Sequence, residues 1–550
     1  MSFLVVPPGR LPQDARGLIL RQDYWNDYGF QTQYQLYYSV DDEQPQRIGD
    51  VKILRKGQSR SDGLQLAIGR ITSLGSEFCS VGQSLDYYER LASLGIDIRN
   101  EALTGLRDIV QLPSVVADFE QEEGWRISLF RNFQQNAEFL VTAKAIVERD
   151  YDALPGKDLK FSFHPAGWVE PLVLDFTPPD SKLTENTLSD ENEPIRLPGR
   201  IAVLVGRNGS GKSTLLARIA RVAHASSSDR NRNILLKLGR ITPSGMGFTR
   251  ILAISYSAFD SFLVPGLTLN EKKQIAREIL EGTGRYMFCG LRDIGLETEE
   301  FIKDQDDNEH IDPDKPTILL ERLPANRIKS LDRLTDEFET AIDRIFSKKR
   351  GRMLKVCTAP LFRDPSLYSG DGRDISEFYG DNSREKFHNL STGHKIVLHS
   401  IASVISYAER KSIILFDEPE THLHPPLLAA LMHSLRLALH ELEAFAIVAT
   451  HSPVVVQETL SQQVHKITRY GDIGRIYSSE IETFGESIGA ITNEVFSLSA
   501  SSTDYHVVLK ALANAYDDLD SIENLFERGL SVQARAFVMS LLAARKKAAS

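Results

Sequence analysis

Residues 206–214, GRNGSGKST, are the part of this chain best suited to chemistry. The apolar run 201–205 precedes them and the run 215–220 follows, which gives the order strand, glycine-rich turn, helix. Glycines let backbone N–H groups wrap a phosphate chain at the positive end of a helix. We therefore predict a P-loop that binds a nucleoside triphosphate. Its binding residues are Gly206, Asn208, Gly209, Gly211, Lys212, Ser213 and Thr214.

Side chains of this loop and of a second element have predicted chemical roles. Lys212 would reach the β- and γ-phosphates, and the Ser213 hydroxyl would sit on Mg²⁺. The apolar run 412–416 ends in two carboxylates, Asp417 and Glu418, as a Walker B strand requires. Asp417 would complete the Mg²⁺ shell, and Glu418 would act on the attacking water.

Two further motifs lie on either side of Asp417. The string LSTGHK at 390–395 begins 27 residues before it, and the string ATHSP places His451 34 residues after it. They resemble the LSGGQ signature and the switch histidine of ABC-type ATPases. The resemblance implies an α/β fold, an ABC-type P-loop head with a mixed sheet and helices, that binds and hydrolyses ATP with Mg²⁺. It also implies a catalytic role for His451 beside Glu418.

The resemblance also implies an assembly. In ABC-type ATPases the signature of one protomer closes over the γ-phosphate bound by the other, a role that falls here to Ser391 and Gly393. One chain carries one P-loop and one signature, so it cannot complete its own site. We therefore expect a head-to-tail-paired homodimer with two composite sites, or a higher homo-oligomer.

Taken one at a time, these residues also have structural explanations. Ser391 could be a helix N-cap, and His451 could be a core histidine at a strand end. His422 and His424 invite a metal interpretation, but no further ligand stands at a spacing that completes such a site. In the ABC pattern they occupy the dimer-facing D-loop, and we prefer that role.

Length and composition limit the class of protein. At about 150 residues per domain, 550 residues predict three or four domains. The net charge of −11 argues against a uniformly basic nucleic-acid coat. The three cysteines form no CxxC pair, and we find neither a signal-peptide core nor an apolar run long enough to span a bilayer. We expect a cytoplasmic protein without a membrane partner.

The order of motifs predicts that the chain has five parts. They are an α+β N-terminal accessory region (1–158), a first part of the ATPase core with Walker A (159–265), an inserted helical lobe (266–374), a second part of the core with signature, Walker B and switch histidine (375–497), and a C-terminal helical region (498–550).

Two features between the P-loop and the signature leave questions open. The segment 254–260, where the ABC pattern has its Q-loop, contains no glutamine, so the completion of the metal shell and the sensing of nucleotide by the lobe are unexplained. The run 344–352, RIFSKKRGR, is the densest basic cluster. A solvated helix end is the commoner explanation of such a run, and phosphate contact is the alternative.

Longer strings narrow the resemblance. Residues 254–262, 483–496 and the N-terminal strings YGFQTQYQLYY and IGDVKIL resemble the PtuA family of ATPases of the Septu and retron-associated anti-phage systems. That resemblance implies a separate HNH nuclease partner of the PtuB kind and, in retrons, a reverse transcriptase with its RNA–DNA product. A nuclease on a separate chain fits the sequence. About 100 residues follow His451, too few for the TOPRIM domain of the overcoming-lysogenization nucleases, and we find no HNH or other metal-nuclease constellation.

Two other classes remain open. One is a RecF- or SMC-like DNA-repair ATPase that acts on DNA directly, although the long heptad repeats of the SMC kind are not visible. The other is the ATPase subunit of a transporter, which the large N-terminal region disfavours.

Overall fold

The structure is a computed structural model. It describes residues 2–9, 11–12, 16–40, 45–131, 136–154, 158–177, 197–308, 326–367, 374–380, 382–471, 473–496 and 504–549. Contacts divide the chain into two compact units, Met1–Phe484 and Gly485–Ser550.

The N-terminal part of the first unit is a six-stranded sheet with helices. Its strands are β1 Phe3–Val6, β2 Gly17–Gln22, β3 Gln33–Ser39, β4 Gln46–Arg55, β5 Gly69–Ile71 and β6 Phe78–Gly82, and its helices are α1 Leu85–Ser93, α2 Ile96–Gly105, α3 Val116–Phe119 and α4 Asn136–Glu148. The strand order is β5-β1-β2-β3-β4-β6, with only β1 and β2 parallel. Buried aliphatic and aromatic side chains of strands and helices form the main core here. Val6, Ile19 and Tyr37 form a second, small buried cluster.

The remainder of the first unit contains two sheets. Their strands are β7 Lys160–Pro165, β8 Leu172–Asp175, β9 Ile201–Val205, β10 Gly239–Thr242, β11 Ile251–Ser255, β12 Tyr286–Gly290, β13 Ile413–Asp417, β14 Phe445–Thr450, β15 Val464–Tyr470 and β16 Ile473–Ser478. The smaller sheet has the order β10-β7-β8 and is antiparallel. The larger has the order β12-β11-β13-β14-β9-β15-β16 and is parallel except for its last pair.

Helices cover both sheets. They are α5 Lys212–His224, α6 Asn233–Leu236, α7 Leu269–Glu281, α8 Ile294–Asn308, α9 Leu331–Ser347, α10 Gly351–Phe362, α11 Ser383–His388, α12 Thr392–Tyr407, α13 Pro425–Glu441 and α14 Pro453–Gln457. Short 3-10 turns lie at Pro113–Val115, Asp229–Asn231, Ile375–Phe378 and Ser461–Gln463, and a π-helical turn at Trp125–Leu129. Helix α5 contacts strands of both sheets, and their apolar side chains share a single buried core.

The topology brings the motifs to one edge. Strands β11, β13, β14 and β9 are four consecutive parallel strands, so their carboxyl ends lie along the same edge of the sheet. Each is fully buried, which explains why each reads as an unbroken apolar run. The P-loop follows β9, Asp417 ends β13, and His451 follows β14.

The segment 266–374, predicted as an inserted helical lobe, also returns a strand to the central sheet. Strand β12 pairs in parallel with β11 at the sheet edge, and α8 follows it. Buried ion pairs attach the N-terminal helix α1 to this part of the chain. Arg90 pairs with Glu278 at 2.7 Å, and Asp86 pairs with Arg285 at 2.8 Å.

The second unit is helical. It contains α15 Ile488–Val495, α16 Asp504–Ala515, α17 Leu519–Glu523 and α18 Val532–Ala549, and apolar residues of the last three form a small core. Among the helices that the structure describes, none has the length and hydropathy required to cross a membrane.

Candidate nucleotide-binding site

The P-loop backbone has the conformation that its glycines predict. Gly209 and Gly211 have φ of +78° and +94°, a region that favours glycine. A Cβ on Gly206 would lie 2.4 Å from the carbonyl oxygen of Ile467, so a side chain there would collide with β15. Helix α5 begins at Lys212, directly after Gly211. The loop therefore presents backbone N–H groups at the start of a 13-residue helix.

Lys212 is a buried cation at the centre of the site. Its side chain donates to the carbonyl of Gly206 at 3.0 Å and to Nε2 of His451 at 2.8 Å. Burial lowers the pKa of Lys212 to about 8, against the opposing effect of nearby carboxylates led by Glu418. An anionic phosphate chain beside the ammonium would favour its charged form.

Ser213 and Asp417 form the pair that suits a divalent cation. The Ser213 hydroxyl donates to Oδ1 of Asp417 at 3.0 Å, and Asp417 is 1% exposed. Burial raises the pKa of Asp417 to about 7, and the charge of Glu418 adds to the effect. Hydroxyl and carboxylate oxygens are the ligands that Mg²⁺ prefers, so these two residues fit the ion. A bound Mg²⁺ would hold Asp417 ionised and neutralise phosphate charge.

Glu418 has a strained backbone. Its φ is +48°, and its N–H donates to the carbonyl of Ala449 at 2.9 Å, which ties the end of β13 to β14. Positive φ is uncommon for a residue with a side chain and is often found at functional sites. The pKa of Glu418 is lowered, first by its interaction with His451, whose Nε2 lies 3.5 Å from Oε1. An ionised carboxylate at this position suits a general base.

A residue that sequence reasoning missed positions His451. Both carboxylate oxygens of Glu420 accept hydrogen bonds at the end of β14: Oε2 from Thr450 Oγ1 at 2.8 Å and Oε1 from the His451 N–H at 2.5 Å. Glu420 stands two residues after Glu418, in the string DEPE. This third carboxylate was the signal that sequence reasoning could have used. Its partner, His451, is 31 residues away in the chain, so the contact could not be identified from the sequence.

A second residue that sequence reasoning missed, Trp168, lies beside Gly211 of the P-loop. It belongs to the turn between β7 and β8 and lines a cavity of about 220 Å³ together with Gly211, Thr214, Arg218 and Arg469. A Cβ on Gly474 would lie 2.3 Å from the indole ring, so this glycine leaves room for the ring against β16. An aromatic face beside the P-loop suits a nucleotide base.

The signature lies at the start of α12. Ser391 is exposed and caps that helix by accepting from the His394 N–H at 3.3 Å. A Cβ on Gly393 would lie 3.0 Å from the carbonyl oxygen of His422, so the signature packs against the D-loop. Among the described residues, no hydrogen bond joins Ser391 or Gly393 to the P-loop of the same chain.

The D-loop histidines have local structural roles. His422 adopts a left-handed conformation with φ of +65°. His424 caps α13, with Nδ1 accepting from the Leu427 N–H at 3.4 Å. Its Nε2 lies 3.0 Å from the hydroxyl of Ser366, which also lies 3.0 Å from Nε2 of His394. Signature and D-loop are therefore joined through a shared serine on one surface.

The basic cluster at 344–352 binds largely to its own chain. Arg344 donates to the carbonyl of Gly282 at 2.5 Å and lies over the ring of Tyr407. Lys348 and Arg350 both pair with Glu409, the former at 2.6 Å. These three cations connect the turn between α9 and α10 to neighbouring elements. The structural explanation of this cluster is therefore favoured over phosphate contact.

Comparison with known proteins identifies relatives of this chain. Residues 201–457 match the AAA_21 family, described as "AAA domain, putative AbiEii toxin, Type IV TA system". The matched range contains the P-loop, the signature, both Walker B carboxylates and His451. The chain is also 30% identical over 542 residues to protein ea59 of Escherichia phage lambda, covering 95% of this chain and 94% of that protein.

Solved structures that resemble the chain include SMC heads and ABC cassettes. The SMC head domain from Thermotoga maritima is 16% identical, covers 59% of this chain and all of its own, and has a TM-score of 0.24. An SMC head bound to the C-winged helix domain of ScpA is 14% identical over 58% of this chain and 97% of that chain, with a TM-score of 0.26. A nucleotide-free ATP-binding cassette from an ABC transporter is 15% identical over 64% and 98%, with a TM-score of 0.27.

The chain's own strand order confirms the predicted α/β fold class, a P-loop ATPase head with a mixed sheet and helices. In this sheet β9, β14, β13 and β11 bring the P-loop, His451, Asp417 and Ser255 to one edge.

Proposed function

This chain belongs to the family of protein ea59 of Escherichia phage lambda, and we propose that it is an ATP-driven switch subunit of an anti-phage defence complex. In this role it binds and hydrolyses ATP with Mg²⁺ as a homodimer or higher homo-oligomer, and it controls a separate HNH nuclease of the PtuB kind. In a retron the complex also contains a reverse transcriptase with its RNA–DNA product.

One observation carries the ATPase part of the proposal. Lys212, Ser213, Asp417, Glu418 and His451 come from three parts of the chain up to 239 residues apart. In the structure Lys212 contacts His451, which lies 3.5 Å from Glu418, and the neighbouring Ser213 contacts Asp417. Lys212 supplies charge to the phosphates, and Ser213 with Asp417 holds the cation. Glu418 activates water, and His451 lies within reach of both Lys212 and Glu418.

The dimer part of the proposal is supported by the position of the signature. Ser391 is exposed at the start of a 16-residue helix, where its N–H groups and hydroxyl suit a γ-phosphate. Its described hydrogen bonds do not reach its own P-loop. A second protomer that faces the first would bring each signature over the other's nucleotide and form two equivalent composite sites.

The nuclease part of the proposal is supported by what the sequence contains. The chain has the P-loop, signature, Walker B carboxylates and switch histidine of an ATPase but no HNH or other recognisable metal-nuclease motif. Nucleotide state would bias the arrangement of the heads, and the accessory regions would hold or release the partner accordingly.

The proposal is tested with purified protein and in cells. Alone, with Mg²⁺ or Mn²⁺, the protein should leave DNA and RNA intact. Phage defence should require both Lys212 here and the catalytic histidine of the nuclease partner. Metal-dependent cleavage by this chain alone, lost when one of its own carboxylates is mutated, would reject the switch model. ATP hydrolysis stimulated by DNA without a nuclease partner would favour a RecF- or SMC-like repair ATPase.

A further inference from the structure

Three neighbouring strands of the central sheet each begin just after a cation. Arg250 directly precedes β11, Arg285 directly precedes β12, and Lys411 stands two residues before β13. The strands are parallel and adjacent, in the order β12-β11-β13, so the three cations lie along the amino edge of the sheet. Their side chains are at most 13% exposed. We call Arg250, Arg285 and Lys411 the cation row.

Backbone hydrogen bonds hold the cation row in the sheet. The carbonyl of Arg285 accepts the N–H of Ile251 at 2.8 Å, and the carbonyl of Arg250 accepts the N–H of Ile413 at 3.0 Å. Neighbouring strands are about 4.8 Å apart, so the row places like charges close together. Like charges on adjacent strands are destabilising unless anions compensate them.

The N-terminal region supplies one carboxylate to each member of the cation row. The pairs are Arg285 with Asp86 at 2.8 Å, Arg250 with Glu89 at 2.9 Å and Lys411 with Glu138 at 2.6 Å. Asp86 and Glu89 are three residues apart on α1, a spacing that places them on one face of the helix. Glu138 lies in the first turn of α4, which packs against α1. The charges of the two surfaces therefore match one to one, which fixes their register.

Apolar packing does not merge the two parts of the chain. Among the described residues, the buried apolar side chains of the N-terminal region and of the ATPase core form separate clusters. A polar cavity of about 70 Å³ lies between the two parts, where Asp86 and Arg90 of α1 face Arg221 and His224 of α5. The cavity has room for several water molecules. The boundary is therefore held largely by charge.

A charged boundary of this kind separates more readily than an apolar one. Charged groups recover their hydration when they part, whereas newly exposed apolar surface costs about 25 cal/mol per Å². Desolvation offsets much of the attraction within a buried ion pair, so such pairs set orientation more than stability. Movement of one domain on another is expected unless their interface is large and apolar. The ion pairs thus define where the N-terminal region docks without making the docking permanent.

The elements that meet the N-terminal region also carry the nucleotide site. Strand β13 follows Lys411 and ends at Asp417, a span of about 16 Å. Helix α5 begins at Lys212 and ends at His224, whose Nε2 lies 3.3 Å from Oδ1 of Asp86. A ligand that orders one end of a rigid element reduces the conformational entropy that remains to be lost at the other end. Occupation of one end therefore favours occupation of the other.

We propose that the amino edge of the ATPase sheet is a reversible docking surface for the N-terminal region, residues 1–152 of this chain, and that ATP binding at the carboxyl edge strengthens the docking. The coupling rests on the proposed ATPase function, whereas the docking surface does not. A partner bound to the N-terminal region would then change position with the nucleotide state.

Reversal of one charge pair tests the docking surface. Glu138→Lys and Lys411→Glu each bring two like charges together, so the boundary should open more often. Phenylglyoxal, which modifies accessible arginines, should then label Arg250 and Arg285 about 10- to 100-fold faster, as measured by mass spectrometry. The double variant restores opposite charges and should label within about threefold of wild type.

Glu148→Lys is the matched control. It makes the same change on the same helix α4, at a side chain that is 46% exposed and pairs only weakly with Lys144 at 3.9 Å. Its labelling should equal that of wild type. Thermal melting reports whether each variant is folded. If the charge-reversed variants do not fold, Lys411→Met removes the attraction without adding repulsion and should still raise labelling about threefold or more.

A non-hydrolysable ATP analogue with Mg²⁺ tests the coupling. In wild type the analogue should slow the labelling of Arg285 about fivefold or more. Linkage is reciprocal, so Glu138→Lys should bind the analogue more weakly by a similar factor, which calorimetry measures.

The docking surface is rejected if the folded variants label as wild type does, or if the double variant labels as fast as the single ones. The coupling is rejected if wild type binds the analogue and the labelling of Arg285 does not slow. Failure of the proposed ATPase function looks different, because wild type would then bind no analogue while the double variant still restored protection.

Discussion

Lys212 and His451 contact each other directly, with Nζ of the lysine 2.8 Å from Nε2 of the histidine. A lysine ammonium only donates, so Nε2 is the acceptor of this hydrogen bond. The same nitrogen lies 3.5 Å from Oε1 of Glu418. A phosphate that draws Lys212 away would leave Nε2 free to interact with Glu418. A bound phosphate and His451 are therefore alternative partners for one lysine.

This relationship predicts the behaviour of His451→Ala. ATP affinity should rise by roughly 3- to 10-fold, because Lys212 no longer loses a hydrogen bond worth about 1 kcal/mol when it turns to the phosphates. Hydrolysis should nevertheless slow by about 10²-fold or more. Calorimetry and single-turnover hydrolysis measure the two effects. The exposed His388 provides the control substitution, and a fall in ATP affinity in His451→Ala would contradict the prediction.

Lys212→Ala and Glu418→Gln should differ from each other. Lys212→Ala should lose ATP binding, because it removes the buried charge that faces the phosphates. Glu418→Gln should keep ATP binding and slow hydrolysis by roughly 10² to 10⁴, because it removes only the base. Calorimetry distinguishes them, with the exposed Lys237→Ala as control. Equal ATP affinity in wild type and Lys212→Ala would refute the assignment of Lys212 to the nucleotide-binding site.

Ser391→Arg should weaken the closed dimer without emptying the P-loop. Closure of the heads is linked to ATP binding by about 2.7 kcal/mol when ATP is near 100 times its dissociation constant. A long cation at the exposed helix start would obstruct the partner's nucleotide. Light scattering with and without ATP measures the dimer, and the exposed Ser61→Arg is the control. An unchanged ATP-dependent mass would count against a composite site.

Trp168→Ala should reduce affinity for ATP but not for inorganic triphosphate. Stacking of a base on an aromatic ring is worth about 1–3 kcal/mol, which corresponds to about 5- to 150-fold in affinity. Trp168→Phe should recover most of the loss, since it keeps an aromatic face beside Gly211. If both ligands lose affinity equally, the indole supports the loop and does not contact the base.

Asp108 should make the N-terminal sheet less stable as the pH rises from about 4 to about 7. Burial raises its pKa from 3.8 to about 7. Between these values the folded chain keeps a proton that the unfolded chain has released, so the free energy of unfolding falls as pH rises. Between pH 5 and pH 8 the loss is on the order of 3 kcal/mol. The variant Asp108→Asn should not show this loss of stability.

Urea unfolding at pH 5 and pH 8, followed by tryptophan fluorescence, measures this difference between wild type and Asp108→Asn. Asp118→Asn, at an exposed position, corrects for other titrating groups. If the free energies of unfolding of wild type and Asp108→Asn differ by the same amount at pH 5 and pH 8, Asp108 does not titrate in this range.

Local sequence was sufficient for the motifs and for the fold class. A P-loop is nine contiguous residues between a buried strand and a helix, and the runs that end at Asp417 and Thr450 are apolar because parallel strands are buried on both faces. Their order along the chain predicted an ABC-type head. Strand β12 was not predicted, because a short apolar run such as YMFCG does not distinguish a buried strand from a buried helix.

The contacts that hold the site together required the tertiary structure. Glu420 meets His451 and Trp168 meets Gly211 only after the sheet has set which strands are neighbours. The sequence by itself therefore determined which residues could do chemistry, since those residues form contiguous motifs. Only the tertiary structure decided which side chains orient and balance them, because strand pairing is non-local.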